Sequence, residues 1–149
     1  MLSVVAYAVD HLKVKHGRSE LPSRFEWWMI RTPSPVVVVG HSHCGGAAAS
    51  VKAASSPPQA ASSPLTRWLM PLIDLARSLK VDSLGEQEAV SLLVKESVKK
   101  QVKNLVETET ITNTWRQGND VLIHGLVYDL STGRLTDLNV TEGPKSHGK

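Results

Sequence analysis

The sequence predicts an α/β domain whose central, mostly parallel sheet is flanked by helices, and three observations predict it. An all-β-branched run, Val36 to Val39, closes on Gly40, the pattern of a strand buried on both faces in a parallel sheet. Segments of helical periodicity lie on either side of it. Two further strand-like runs, joined by Ser131-Thr132-Gly133, come late in the chain. Strands that alternate with helices and then form a hairpin belong to this class.

Taken in order, Leu2, Val5, Ala6, Val9 and Leu12 recur at helical spacing and predict an amphipathic helix ending near Lys15, His16 and Gly17. Residues 17–35 follow as an irregular insert, with Pro22, Pro33, Pro35 and the Trp27-Trp28 pair but no sustained period. The valine strand comes next, and its shortness places it at the sheet's centre. Beyond His41-Ser42-His43-Cys44, the Ala-rich stretch from Gly45 to about Ser55 predicts a helix, and residues 55–63, rich in Ser and Pro, predict a mobile loop.

Ser63 and Pro64 read as the N-cap and first-turn proline of a helix running through Trp68, Leu72, Ile73 and Ala76 to Leu79. Ser83 and Glu86 have the spacing of a capping box. Val90, Val94, Val98, Val102 and Leu105 continue from it as a long helix to about Thr108, with Lys95, Lys99, Lys100 and Lys103 outward. Two strands, 121–130 and 134–140, then make a hairpin whose glycine suits a tight turn. One partial domain over 1–149 accounts for all of this, since that length supports a single core.

Composition narrows the function classes. The formal charge is +3, yet the basic residues are scattered and lie mostly on a helix face, so a solvated surface explains them and no nucleic-acid partner is expected. No apolar run reaches the about 18–20 residues of a membrane span, so no membrane partner is expected either. Cys44 is the only cysteine, which rules out a disulfide within the chain and suits a reducing compartment. With no signal-peptide pattern at the start, the expected location is cytoplasmic.

The chemistry concentrates at His41 and Cys44, three apart, immediately after the strand and before a glycine-led helix. Open α/β sheets place ligand sites there. A thiolate at a helix N-terminus is stabilised by the backbone dipoles, and imidazole with thiolate favours zinc. His-x-x-Cys alone is a weak signal, and by itself it suits two structural residues better than a metal site. Other polar residues have plainer readings. His43 suits a supporting or surface role, His124 a hydrogen-bonded core position, and His11 and His16 a helix end. Trp68 and Trp115 suit core or interface anchors, and Asp129 and Asp137 turn chemistry.

The stretch VVVVGHSHCGGA is similar to the signature of the β-class carbonic anhydrases. Residues in LTRWLMPLIDLARSL, ESVKKQVKNLVET and WRQGNDVLIHGLVYDLSTGRLTDL resemble later segments of that family in the same order, and AYAVDHLKVKH resembles the helix before the signature strand. The resemblance covers roughly residues 2–16 and 36–140. It implies a β-carbonic-anhydrase-like fold, truncated at the N-terminus, and a zinc-dependent lyase that reversibly hydrates carbon dioxide to bicarbonate. It further implies His41 and Cys44 as zinc ligands, and Gly45 and Gly46 as a tight turn allowing close approach to the metal. As partners it implies a homodimer or higher even oligomer.

Two departures qualify that expectation. The family's Cys-x-Asp-x-Arg segment, which supplies a second zinc thiolate and an Asp–Arg pair, does not occur in the sequence. No catalytic residue is therefore assigned, and little activity is expected of the chain as written. The alternative is a non-catalytic subunit that dimerises with a complete homologue. The insert at 17–35 is the other departure. Its composition suits untranslated sequence read through in error, with the true start upstream of Met1, or else a surface loop in which Phe25, Trp27 and Trp28 cover core.

Overall fold

The computed structural model describes residues 34–57 and 63–144. The expected first helix, the insert up to residue 33 and the centre of the 55–63 loop lie outside them. Strand β1 spans Ser34–His41, so Ser34 and Pro35, expected in the insert, already belong to it. Helix α1 is Gly45–Ala54, α2 is Pro64–Ser78, α3 is Glu86–Val106 and α4 is Glu109–Arg116. Strands β2, Val121–Asp129, and β3, Arg134–Glu142, complete the chain's order.

The three strands form one sheet in the order β1–β2–β3. The Ser42 amide donates to Tyr128 O at 2.9 Å, which brings the C-terminal ends of β1 and β2 to the same edge and makes this pair parallel. β2 and β3 are joined by a hairpin closed by Gly133 N–H to Asp129 O at 2.8 Å, with Gly133 at φ +69°. The sheet is therefore mixed.

One expectation fails here. Among the described residues β1 is an edge strand and not the centre, and it is not buried on both faces: Val37 and Val39 are 44% and 51% exposed. A continuous valine run says that side chains tolerate burial; which faces are covered depends on neighbours that the run does not name. On the covered face α3 approaches so closely that a Cβ at Gly40 would stand 2.7 Å from Val98 Cγ2 and 2.8 Å from Val94 Cγ1.

Packing divides the chain into two compact units. In one, built of Val38–Gln101 and Gly125–Val140, the core gathers Ala47, Val51, Ala76, Val81, Ala89, Leu93 and Val94. Small residues make α1 a close-packing helix, and its buried Ser50 satisfies its hydroxyl on Gly46 O at 2.8 Å. Helix α2 starts as its sequence predicts: Pro64 opens it, and Ser63 Oγ accepts from Thr66 N–H at 3.1 Å. Leu69, Ile73 and Ala76 are its buried stripe. At its end, Arg77 Nη2 donates to Ala53 O at 3.4 Å, placing a cation on the last carbonyls of α1.

The expected capping box at α3 does not form. Val81–Ser83 is a short 3₁₀ turn, Ser83 Oγ donates back to Lys80 O at 3.0 Å, and Gly85 starts the helix by accepting from Ala89 N–H at 2.8 Å. Ser83 closes the 3₁₀ turn, and the helix begins only at Glu86 with Gly85 at its edge, so the serine stands too early in the chain to cap it. The inner face of α3 also includes Ala89 and Leu93, both 0% exposed, which the valine spacing alone does not mark.

In the other unit, Val102, Ile111, Thr114, Val121 and Ile123 are buried. The sequence reading gives no separate helix for α4. Thr108 caps it by accepting from Ile111 N–H at 3.4 Å, and Trp115 Nε1 donates to Val121 O at 2.9 Å, fixing that indole as an anchor. His124 is hydrogen bonded as expected, through Nδ1 to Thr141 Oγ1 at 3.0 Å, but on the half-exposed face of β2 rather than in the core. Trp68, 72% exposed, anchors no core in this chain.

Candidate metal centre

The parallel pairing of β1 and β2 delivers two loops to one sheet edge. One is His41-Ser42-His43-Cys44, leading into α1, and the other is the β2–β3 turn. The strand's alternation puts His41 on the open face with Val37 and Val39. Its Nδ1 lies 2.9 Å from Ser42 O. A carbonyl oxygen has no hydrogen to give, so this contact is made by an Nδ1–H, leaving the lone pair of Nε2 for a ligand. Cys44 is half-buried, occupies the N-cap position of α1, and makes no side-chain capping bond.

The turn between the two residues is made by His43, at φ +55°. This differs from the expectation for Gly45 and Gly46, which lie in the first turn of α1. A Cβ at Gly45 would meet nothing within 4 Å, and one at Gly46 would make ordinary contacts of 3.7 Å with Leu69 and 3.9 Å with Cys44 Sγ. Histidine is among the residues that visit the left-handed region, so the chain can bend there without glycine.

Four bonds tie this loop to the hairpin. Ser42 N–H donates to Tyr128 O at 2.9 Å, and Ser42 Oγ accepts from Leu130 N–H at 2.9 Å while donating to Asp129 Oδ1 at 3.5 Å. Ser131 Oγ lies 3.3 Å from His43 Nε2. Asp129 Oδ1 also accepts from Ser131 N–H at 2.8 Å and Thr132 N–H at 3.3 Å. The Ser131 amide, opposed by some desolvation and helped by Thr132 and Ser42, holds the Asp129 carboxyl below its ordinary value. Turn chemistry thus explains part of Asp129, and His43 lies exposed beside Ser131. Ser42 was not singled out by the sequence, because its partners lie 87 and 88 residues away.

A family model described as carbonic anhydrase matches residues 31–135. The chain belongs to the β-class carbonic anhydrases. A carbonic anhydrase of Emericella nidulans is 30% identical over 142 residues, covering 93% of this chain and 51% of that protein. Mitochondrial β-carbonic anhydrase 6 of Arabidopsis thaliana is 30% identical, with coverage of 91% and 47%. Among solved structures, tetrameric β-carbonic anhydrases of Sordaria macrospora superpose with a TM-score of 0.68 at 28% identity, over 95% of this chain and 60% of that one. The Coccomyxa enzyme superposes with a TM-score of 0.70 at 21% identity, over 95% and 54%. The chain spans about half the length of the curated relatives it matches.

Members of this class are zinc enzymes. The donor chemistry at the end of β1 fits zinc: among the described residues His41 Nε2 has no hydrogen-bond partner, and the Cys44 thiol, packed against the core, makes no capping bond. The number of donors falls short. Among the described residues no group of three or more His, Cys, Asp or Glu side chains is placed to hold a metal ion, whereas a catalytic zinc ordinarily keeps three protein ligands.

Proposed function

We propose that this chain carries part of the zinc site of a carbonic anhydrase that interconverts carbon dioxide and bicarbonate, with His41 Nε2 and the Cys44 thiolate as two of the ligands. The observation that carries the proposal is the pairing of family membership with a free imidazole nitrogen and an uncommitted thiol flanking one turn at the end of β1. Bound zinc supplies Lewis-acid chemistry that makes water a nucleophile near neutral pH. The chain's own contribution is to hold and orient: the Ser42 carbonyl keeps the Nδ1 proton in place, and the turn at His43 carries Cys44 to the start of α1. The remaining ligand and the acid–base groups come from residues beyond this set.

Metal analysis tests the proposal. The expected content is near one zinc per chain, lost in Cys44→Ser; full retention in that variant overturns the assignment. Stopped-flow hydration of carbon dioxide by the zinc-loaded chain alone should run little faster than free zinc, since the donor set is incomplete. Rates typical of a carbonic anhydrase would show that the chain, or copies of it together, completes the site.

A second reading is favoured by the exposure of Val37, Val39 and Leu135: a non-catalytic subunit that joins a complete homologue through an uncovered sheet surface. Assembly as a homodimer or higher even oligomer would use the same surface. Co-purification with a full-length homologue separates the heteromeric reading, and sedimentation of the isolated chain separates the homomeric one.

A further inference from the structure

Ser42 commits every polar group it owns. Its amide donates to Tyr128 O at 2.9 Å, its hydroxyl accepts from Leu130 N–H at 2.9 Å and reaches Asp129 Oδ1 at 3.5 Å, and its carbonyl takes the Nδ1–H of His41 at 2.9 Å. The carbonyl sets which ring nitrogen of His41 is protonated and which way the ring faces. The hydroxyl and amide set where that carbonyl stands, because they bolt it to three successive residues at the end of β2. A residue bonded on one side to an imidazole and on the other to rigid sheet transmits the sheet's geometry to the imidazole.

We infer that Ser42 is a positioning residue for the zinc ligand His41, held in place by Tyr128 and Asp129 of β2 and by Leu130, which follows it. This rests on the reading of His41 and Cys44 as zinc ligands. Ser42→Ala removes the hydroxyl bonds to Leu130 and Asp129 but keeps the amide bond to Tyr128, so the loop stays attached with more freedom. Groups behind a metal-bound histidine are typically worth about 10- to 100-fold in metal affinity, and the lower end suits a variant that keeps the carbonyl. Ser42→Thr retains the hydroxyl and restores the wild-type behaviour. Asp129→Ala leaves the stronger Leu130 bond and has a smaller effect.

The test is titration of the full chain with Co²⁺, reading affinity by competition with a chromophoric chelator and geometry from the visible absorption bands. Hydrogen exchange at the Leu130 amide of the metal-free chain is a second readout that needs no metal. The expected result is about tenfold weaker Co²⁺ binding with shifted bands in Ser42→Ala, faster Leu130 exchange, and rescue of all three in Ser42→Thr. Wild-type affinity and spectrum in both Ser42→Ala and Asp129→Ala overturn the inference and leave the zinc reading standing. If the wild type takes up no Co²⁺, or Cys44→Ser binds it as well as the wild type does, the zinc reading itself falls and the inference with it. Should Ser42→Ala fail to melt cooperatively, Asp129→Ala decides: weakened binding with shifted bands supports the inference, and unchanged binding overturns it.

Discussion

On one face of β1, Gly40 lies so near Val94 and Val98 of α3 that a methyl group would not fit, whereas on the other Val37 and Val39 stand about half exposed. Both faces are built from the same short β-branched run. What separates them is the neighbour: a long helix covers one, and no described element of this chain covers the other. The lesson is that hydrophobic identity licenses burial without assigning it, and that His41, the proposed zinc ligand, emerges on the open face. A family whose relatives run to about twice this length has further chain with which to close such a face.

That contrast can be broken most severely at Gly40. Gly40→Ala pushes a methyl group into two valine side chains that have little freedom to move, so it should cost about 1–3 kcal/mol of overpacking. The expected reading is a lower urea midpoint at unchanged slope; no change would mean that α3 stands farther off in solution. On the open face, Val39→Thr should stay within about 0.5 kcal/mol. A loss of 2 kcal/mol or more, growing with protein concentration, would show that a second copy covers the face.

The smallest effect is local. The Asp129 carboxyl sits below its ordinary value in the folded chain, so its contribution is present above the unfolded value, about 3.9, and is lost as pH falls through the folded one. Exposure to water keeps that contribution small. An acid titration by nuclear magnetic resonance should move the Ser131 and Thr132 amide signals together, and Asp129→Asn should abolish the movement.

What could be read in advance follows the range of each interaction. Ser63 and Pro64 announced the start of α2 because cap chemistry is settled within four residues. Ser83 and Glu86 have equally good spacing and mislead, since Ser83 belongs to the Val81–Ser83 turn and the helix starts beyond Gly85. Val36–Val39 identified a strand but not its place in the sheet, because strand order is a long-range property. His41 and Cys44 were visible as neighbours in sequence and through family resemblance. Ser42, Asp129 and Leu130 were not, because nothing local tells a serine after one strand that its partners wait at the end of another.

The span of 88 residues between Ser42 and Leu130 has a consequence for the order in which the protein is made. His41 and Cys44 leave the ribosome early, while the backbone that braces them is still untranslated. A metal ion met at that moment finds two loosely tethered side chains and no mount, since contacts of high sequence separation form only after the intervening chain has closed its loop. On the proposed assignment of His41 and Cys44 as ligands, metal capture would belong to the finished chain, and its strength would gauge whether β2 has docked.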